Sequence, residues 1–316
     1  MTEALPAPTR PWLRRAWWVT RVGLVLTGLV VLAWAVDRER LEHVARELPV
    51  HLLVGMLLCG TAARLFGVLR WRVSCGGLMA APPGVPALFR VELLAEFVNI
   101  WVPTFIGGEV VRIWGVRDPD DPMPAVWSVA VDRLLGLLGL VLAVIPVVLL
   151  VDLPLPGWLV WAGLGGVGAV LGVGFVLRPH LVGLGPWAAA LAGLRIPRVF
   201  GALALSVASP WCLVLAYWGF FGTVYPSLSL AGVAAFVLLS RFGRAVPVQL
   251  LGLNSVEGAM WVLGELFGIP REILALSLAT NYGDKLLHSL AGGVVELSVN
   301  GADMLQRVLA AGRGPR

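Results

Sequence analysis

The chain has 316 residues, of which 58% are hydrophobic and only 14% charged, with a mean hydropathy of +0.86. Soluble domains carry about 25% charged residues, so water is not the main solvent of this fold, and at ~20 residues per span no length remains for a separate soluble domain. The net charge of +5 comes almost entirely from arginine, Lys285 being the one lysine, and no basic patch with interleaved aromatics points to nucleic acid.

Arg10, Arg14 and Arg15 precede an apolar stretch that ends Ala33-Trp34-Ala35, a pattern shared by signal peptides and first spans. Trp17 and Trp18 look like interface anchors and the chain beyond is also apolar, which favours a retained span over 17–36 behind a cytoplasmic tail, 1–16. An amphipathic piece at 37–48 reads as interfacial, and a second span covers about 49–69. The connection 70–87 carries Arg70, Arg72 and a Pro82-Pro83-Gly84 turn. Segment 88–115 is helical in pattern but interrupted. Spans follow at about 124–151, 157–177 and 199–222, and another over 229–246 stops at Pro247. Segment 247–270 is again broken, and a last span covers 272–297 ahead of a C-terminal tail, 298–316.

The expected fold is therefore all-α: one polytopic membrane domain over 1–316, with seven to eight transmembrane helices and two Pro/Gly-broken, re-entrant segments. Arg70, Arg72 and Arg90, then Arg178, Arg195 and Arg198, then Arg307, Arg313 and Arg316 fall on the side of the N-terminal arginines, whereas loops 152–156 and 224–228 have no basic residue. The positive-inside rule then puts both termini in the cytoplasm of a multi-pass cell-membrane protein, most simply in a bacterial inner membrane.

The two broken segments resemble each other. Val98-Asn99-Ile100-Trp101-Val102-Pro103 leads to Gly107-Gly108-Glu109 and then to Asp132-Arg133-Leu134-Leu135. Arg244-Ala245-Val246-Pro247 leads to Glu257-Gly258 and then to Asp284-Lys285-Leu286-Leu287. Proline to glutamate is six residues in one copy and ten in the other, and glutamate to aspartate is 23 and 27. Chance likeness of leucine-rich segments is the alternative to an internal repeat. A repeat has a physical use: transporters often pair two discontinuous helices near the midplane, with Gly/Pro interruptions marking the site. Pro103 and Pro247 break the helix, and the freed backbone groups must line protein or a wet cavity.

Charges at membrane depth are the other signal. Arg64, Glu92, Glu96, Glu109, Arg112, Asp132, Arg133, Arg241, Arg244, Glu257, Asp284 and Lys285 all fall in or beside apolar runs. Each costs ~2.5–3.5 kcal/mol if it faces lipid, so they must face inward, pair or reach an interface. Glu92, Glu96 and Asn99 form one helical stripe at i, i+4 and i+7, and Asn281, Asp284, Lys285 and His288 lie close together on the last span. For Asp132, Arg133, Asp284 and Lys285, register-fixing ion pairs and ligand binding both stay open, with cross-pairing between the copies as one arrangement. Glu92 and Glu96 also suit a solvated interfacial face, and a lone His288 suits a satisfied core histidine. Arg241 and Arg244 have no acidic neighbour within a helical turn, so their anionic partner comes from elsewhere.

Pro103, Gly107-Gly108-Glu109 and Arg112 resemble the Pro-x-x-x-Gly-Gly-Asp/Glu-x-x-Arg signature of the flippase-like membrane family named after lysylphosphatidylglycerol synthase. Arg70-Trp71-Arg72, Asp132-Arg133 and Pro247…Glu257-Gly258 fall in that family's order, so the resemblance covers about 50–297. Leu253-Asn254-Ser255-Val256-Glu257 departs from the family's Gly-rich turn and Arg-Glu pair, keeping the glutamate without an adjacent arginine. No counterpart of the synthase's aminoacyl-transferase domain is present in these 316 residues.

The resemblance implies lipid translocation rather than lipid aminoacylation. The expected protein is a non-enzymatic transporter of a lipid with a polar or anionic headgroup. Arg112, Arg241 and Arg244 would meet the headgroup, with Glu109, Glu257, Asp132 and Asp284 pairing those arginines in the empty state or binding a cationic part of the lipid. Arg133 and Lys285 complete the binding set, Pro103, Gly107, Gly108 and Pro247 act as hinges, and a membrane lipid is the substrate. A homo-oligomer or a lipid-biosynthesis partner stays open. A membrane transferase on a lipid-linked substrate and a non-transporting subunit of a lipid-biosynthesis complex are the rival readings. Cys59, Cys75 and Cys212 are odd in number and widely spaced, and no metal-ligand cluster, phosphate loop or nucleophile motif occurs, so no cofactor is expected.

Overall fold

The computed structural model describes residues 37–101, 107–150, 165, 196–245, 249–250 and 253–312. The expected spans 17–36 and 157–177, the N-terminal tail, Pro103 and Pro247 lie outside them. The regular structure among the described residues is helical apart from one small ribbon. In chain order they form α1 (Arg38–Glu47), α2 (Val50–Leu78), α3 (Val85–Trp101), α4 (Gly107–Val116), α5 (Met123–Leu150), α6 (Ile196–Val224) and α7 (Leu230–Ser240). A 3-10 turn (Arg241–Ala245), strands β1 (Gln249–Leu250) and β2 (Leu253–Asn254), α8 (Ser255–Leu266) and α9 (Arg271–Gly312) complete them.

Among the described residues, α2, α5 and α6 are long and apolar enough to cross a membrane. A bilayer core of ~30 Å needs about 20 residues, and these helices have 29, 28 and 29. They leave Leu58 on α2, Leu142 and Leu149 on α5, and Phe200, Leu215 and Trp218 on α6 exposed, which suits a lipid solvent. The short α1 is polar, as expected of an interfacial piece, and its first amides are capped by Asp37.

Three boundaries differ from the sequence expectation, two of them at α2 and α7. The helix expected to end near residue 69 runs to Leu78, so Arg70 and Arg72 are not in a connection. Arg70 is buried against Asp132; with its charge compensated, the helix has no need to leave the apolar layer there. The span expected over 229–246 is α-helical only to Ser240 and then tightens into the 3-10 turn, shortly before Pro247, which has no N–H to donate to a continuing helix.

The second broken segment also holds a feature without a sequence forecast, the antiparallel ribbon pairing Gln249 with Asn254 and Leu250 with Leu253. Its helix α8 ends in a Schellman motif: Gly268 adopts φ +68, Gly268 N–H donates to Glu265 O, and Ile269 N–H donates to Gly264 O. Pro270 follows and α9 begins one residue later. This last helix starts where expected but continues to Gly312, past residue 297; its 42 residues span about 63 Å at 1.5 Å each.

The main apolar core is built by α5, α6, α7, α8 and α9, centred on Tyr217, Phe220, Phe221 and Phe236, whose rings pack edge-to-face at centroid distances of 5.3–6.4 Å. A second, smaller core joins Trp71 and Cys75 of α2 to Leu88 of α3 and Val129 of α5. Between α3 and α9 the contact is closer still. Gly292 faces the Leu93 backbone carbonyl, and a Cβ there would overlap it. This is the close helix approach that small residues permit in membranes.

Candidate functional site

α2 supplies two arginines to two aspartates on different helices. Arg64 stands at the helix midpoint, fourteen residues from Val50 and from Leu78, about 21 Å from either end at 1.5 Å per residue. Its Nη1 donates to Asp284 Oδ2 of α9 at 2.8 Å and to Gly60 O at 3.1 Å. Its Nη2 lies 4.0 Å from Glu96 of α3. Gly60 is needed here because a Cβ would strike the Asp284 carboxylate. Six residues along, Arg70 grips Asp132 of α5 with both arms, Nε–Oδ1 at 2.7 Å and Nη2–Oδ2 at 3.1 Å. Such a fork-on-fork pair is the strongest geometry available to arginine.

The next residue along each of those helices is a cation held by a glutamate in the first turn of a short helix. Arg133 pairs with Glu109 of α4, and Lys285 pairs with Glu257 of α8. Asn281 Nδ2 also donates to Glu257 Oε1 at 2.6 Å. The two halves of the chain thus use one pattern: a short-helix glutamate holds the cation after the aspartate, and an α2 arginine holds the aspartate. Arg70–Asp132, Arg133–Glu109 and Lys285–Glu257 each form within one half, whereas Arg64–Asp284 and Arg90–Glu296 join the first half to α9; among the described residues no ion pair joins Asp132 or Arg133 to Asp284 or Lys285.

α3 and α4 pack against each other. Arg112 pairs with Glu92, Gly115 packs on Val91, and Gly108 N–H donates to Asn99 Oδ1 at 2.9 Å. A Cβ on Gly108 would collide with the Asn99 amide. The close approach that this glycine allows is therefore to α3. Arg112 also lies 5.7 Å from the Trp71 ring centroid and 3.9 Å from Glu109. Glu92 and Glu96, which equally suited a solvated face, belong to the buried network.

Arg241 differs from these. It is 5% exposed, yet its Nε and Nη2 have no hydrogen-bond partner. Among the described residues no carboxylate lies within ion-pair distance of it, and the Tyr217 hydroxyl is one of its polar neighbours. Arg244 lies in the same 3-10 turn, with its side chain outside the described residues. Gly107 is buried at the start of α4.

Reasoning from sequence placed Arg64 at membrane depth but outside the binding set, and took Arg70 for a loop residue. The signal was present for Arg64, which interrupts an apolar run uncharged for several residues on either side; Arg70, two residues from Arg72, read as the start of a basic connection. His288, already grouped with Asn281, Asp284 and Lys285 by helical spacing, is bonded to Thr61 at 2.9 Å, and Thr61 had no signal in the sequence. Among the described residues no group of three or more His, Cys, Asp or Glu could hold a metal ion, and the three cysteines are free thiols.

A family model of the lysylphosphatidylglycerol synthase transmembrane region matches residues 18–282. The chain belongs to that family. The lysylphosphatidylglycerol synthase match takes in both broken segments, Gly107-Gly108-Glu109, Arg112, Asp132-Arg133, Arg241, Arg244 and Glu257, and stops two residues before Asp284. Membership makes this a transmembrane protein of a lipid-modification family. No curated protein and no solved structure matches the chain.

Proposed function

We propose that the chain is a flippase-like lipid transporter, carrying a polar or anionic headgroup through the charged layer while the acyl tails stay in the bilayer. The observation that carries this reading is Arg241, a buried guanidinium with two donor nitrogens that have no hydrogen-bond partner. A buried donor left unbonded costs ~1–3 kcal/mol, more when charged, and a phosphate or carboxylate oxygen satisfies guanidinium donors better than any neutral group. The paired charges elsewhere in the layer serve as exchange partners. A headgroup anion displaces a carboxylate from Arg112, and a headgroup cation takes the carboxylate released.

In this reading the two broken segments are halves of an internal repeat, re-entering the membrane from opposite sides, and the shared pairing pattern is its trace. The protein lies in the cell membrane with both termini cytoplasmic, and it moves its lipid substrate without altering it. Proteoliposomes carrying a fluorescent anionic phospholipid test the assignment. Arg241→Ala is expected to slow headgroup translocation at least about tenfold, the equivalent of ~1.4 kcal/mol of lost contact, with Arg241→Lys intermediate. Equal rates for wild type and Arg241→Ala would remove Arg241 from the pathway.

A further inference from the structure

His288 sits on α9 beside the midpoint of α2, 6% exposed. Hydrogen-bond accounting restricts its protonation. Nδ1 faces Asp284 O at 2.8 Å and Asp284 Oδ1 at 3.3 Å. Both are acceptors of an ionised residue, so Nδ1 carries a proton. Nε2 lies 2.9 Å from Thr61 Oγ1, which in turn lies 2.8 Å from Leu57 O. The hydroxyl has one proton to give. When it donates to Leu57 O, Nε2 must itself be N–H and the ring is an imidazolium. When it donates to Nε2, the ring is neutral. The same three groups serve both states, and only a hydroxyl rotates between them.

The charge on the ring matters to Arg64. With His288 neutral, Asp284 has Arg64 as its cation. With His288 protonated, Asp284 has two, and Glu96, 4.0 Å from the other arm of the same guanidinium, has none of its own. We infer that His288 and Asp284 form a proton-binding site at membrane depth, and that a proton taken from water onto Nε2 moves Arg64 from Asp284 on α9 to Glu96 on α3. The other charges facing this site are committed. Lys285 is held by Glu257 of α8, and α1 pairs its own charges as Asp37–Arg40, Glu42–Arg46 and His43–Glu47. From α3, Trp101 closes the next position by donating to Ser289 Oγ at 3.0 Å. The consequence rests on the transport reading above: because the proton changes which helix Arg64 ties to α2, a pH difference gates or drives the lipid movement.

The test has two arms. In nanodiscs, ¹⁵N-histidine spectra follow the four histidines, with His288 assigned by its loss in His288→Gln. The ring is expected to pass from one to two protons between about pH 8 and pH 5. Glu96→Gln, which touches no atom of the ring, is expected to lower the midpoint by about one unit, a tenfold loss of proton affinity. Glu96→Asp gives a smaller shift in the same direction and serves if the glutamine variant does not fold. Glu296→Gln, whose carboxylate holds Arg90 instead, is the control and leaves the midpoint in place. A ring that stays in one state over that range, or an unmoved midpoint in both Glu96 variants, overturns the site. In proteoliposomes, wild-type lipid movement is expected to change about tenfold across the midpoint and His288→Gln to be flat. Movement by wild type at one rate on both sides of the midpoint overturns the coupling. No movement by wild type at any pH overturns the transport reading instead, and the spectra alone then decide the proton site.

Discussion

At the scale of single residues, the buried charges are organised as mutual solutions to a solvation problem. Arg70 and Asp132 are both buried, and each satisfies the other with two hydrogen bonds. Removing one partner leaves an uncompensated charge, whereas removing both leaves only a volume to refill. Arg70→Met is therefore expected to destabilise the protein by about 3–5 kcal/mol, while Arg70→Met with Asp132→Leu recovers most of that loss. Thermal unfolding in one detergent checks the pair. If double and single variants are equally unstable, the ion pair is not the source of the loss. Arg241 belongs to the opposite class, since no described partner compensates it, and its substitution by alanine is expected to affect transport far more than folding.

Among elements, the decisive contacts are those where backbones come close. α9 reaches α3 through Gly292, against the Leu93 carbonyl, and through Gly293, against Phe97. Arg90 of α3 and Glu296 of α9 lock the same interface at 2.9 and 3.0 Å. Gly292→Leu is expected to separate the two helices and cost about 1–3 kcal/mol by overpacking, read as a lower unfolding temperature. Gly55→Leu on α2, where nothing lies within 4 Å, should leave that temperature nearly unchanged. A similar drop in both variants would mean that the α3–α9 approach is not what Gly292 protects. These element contacts also explain where the apolar pattern was a poor guide to boundaries. A compensated arginine does not end a helix, so α2 runs through Arg70 and Arg72 to Leu78.

For the molecule as a whole, the ion pairs run from Asp132 and Arg70, and from Arg133 through Glu109 and Arg112 to Glu92, to Arg64 with Asp284 and Glu96, then Lys285 with Glu257. Salt screens exposed charges over a Debye length of ~10 Å at 0.1 M but reaches buried pairs much less. The unfolding temperature is therefore expected to change little between low and high ionic strength. Lipid movement should slow when a competing anion such as phosphate has access to Arg241. A large loss of stability on raising the salt would show that water reaches the network in the resting state.

The sequence by itself determined the solvent of this protein, its helical class and its family. Those follow from composition, from apolar runs of span length, and from a motif, Gly107-Gly108-Glu109 with Arg112, that is local in the chain. It also determined that the charges must face inward, because the cost of exposing them to lipid depends on residue type alone. Only the tertiary structure decided which charges meet. Arg64 and Asp284 are 220 residues apart and Arg70 and Asp132 are 62 apart, distances over which no helical periodicity carries information. The structure likewise decided that Glu96 lies 4.0 Å from the second arm of Arg64, that His288 is tied to Thr61, and that Arg241 has no carboxylate at ion-pair distance among the described residues. Each of these is a property of which helix faces pack together, and packing is settled by shape and by close approach at a few glycines.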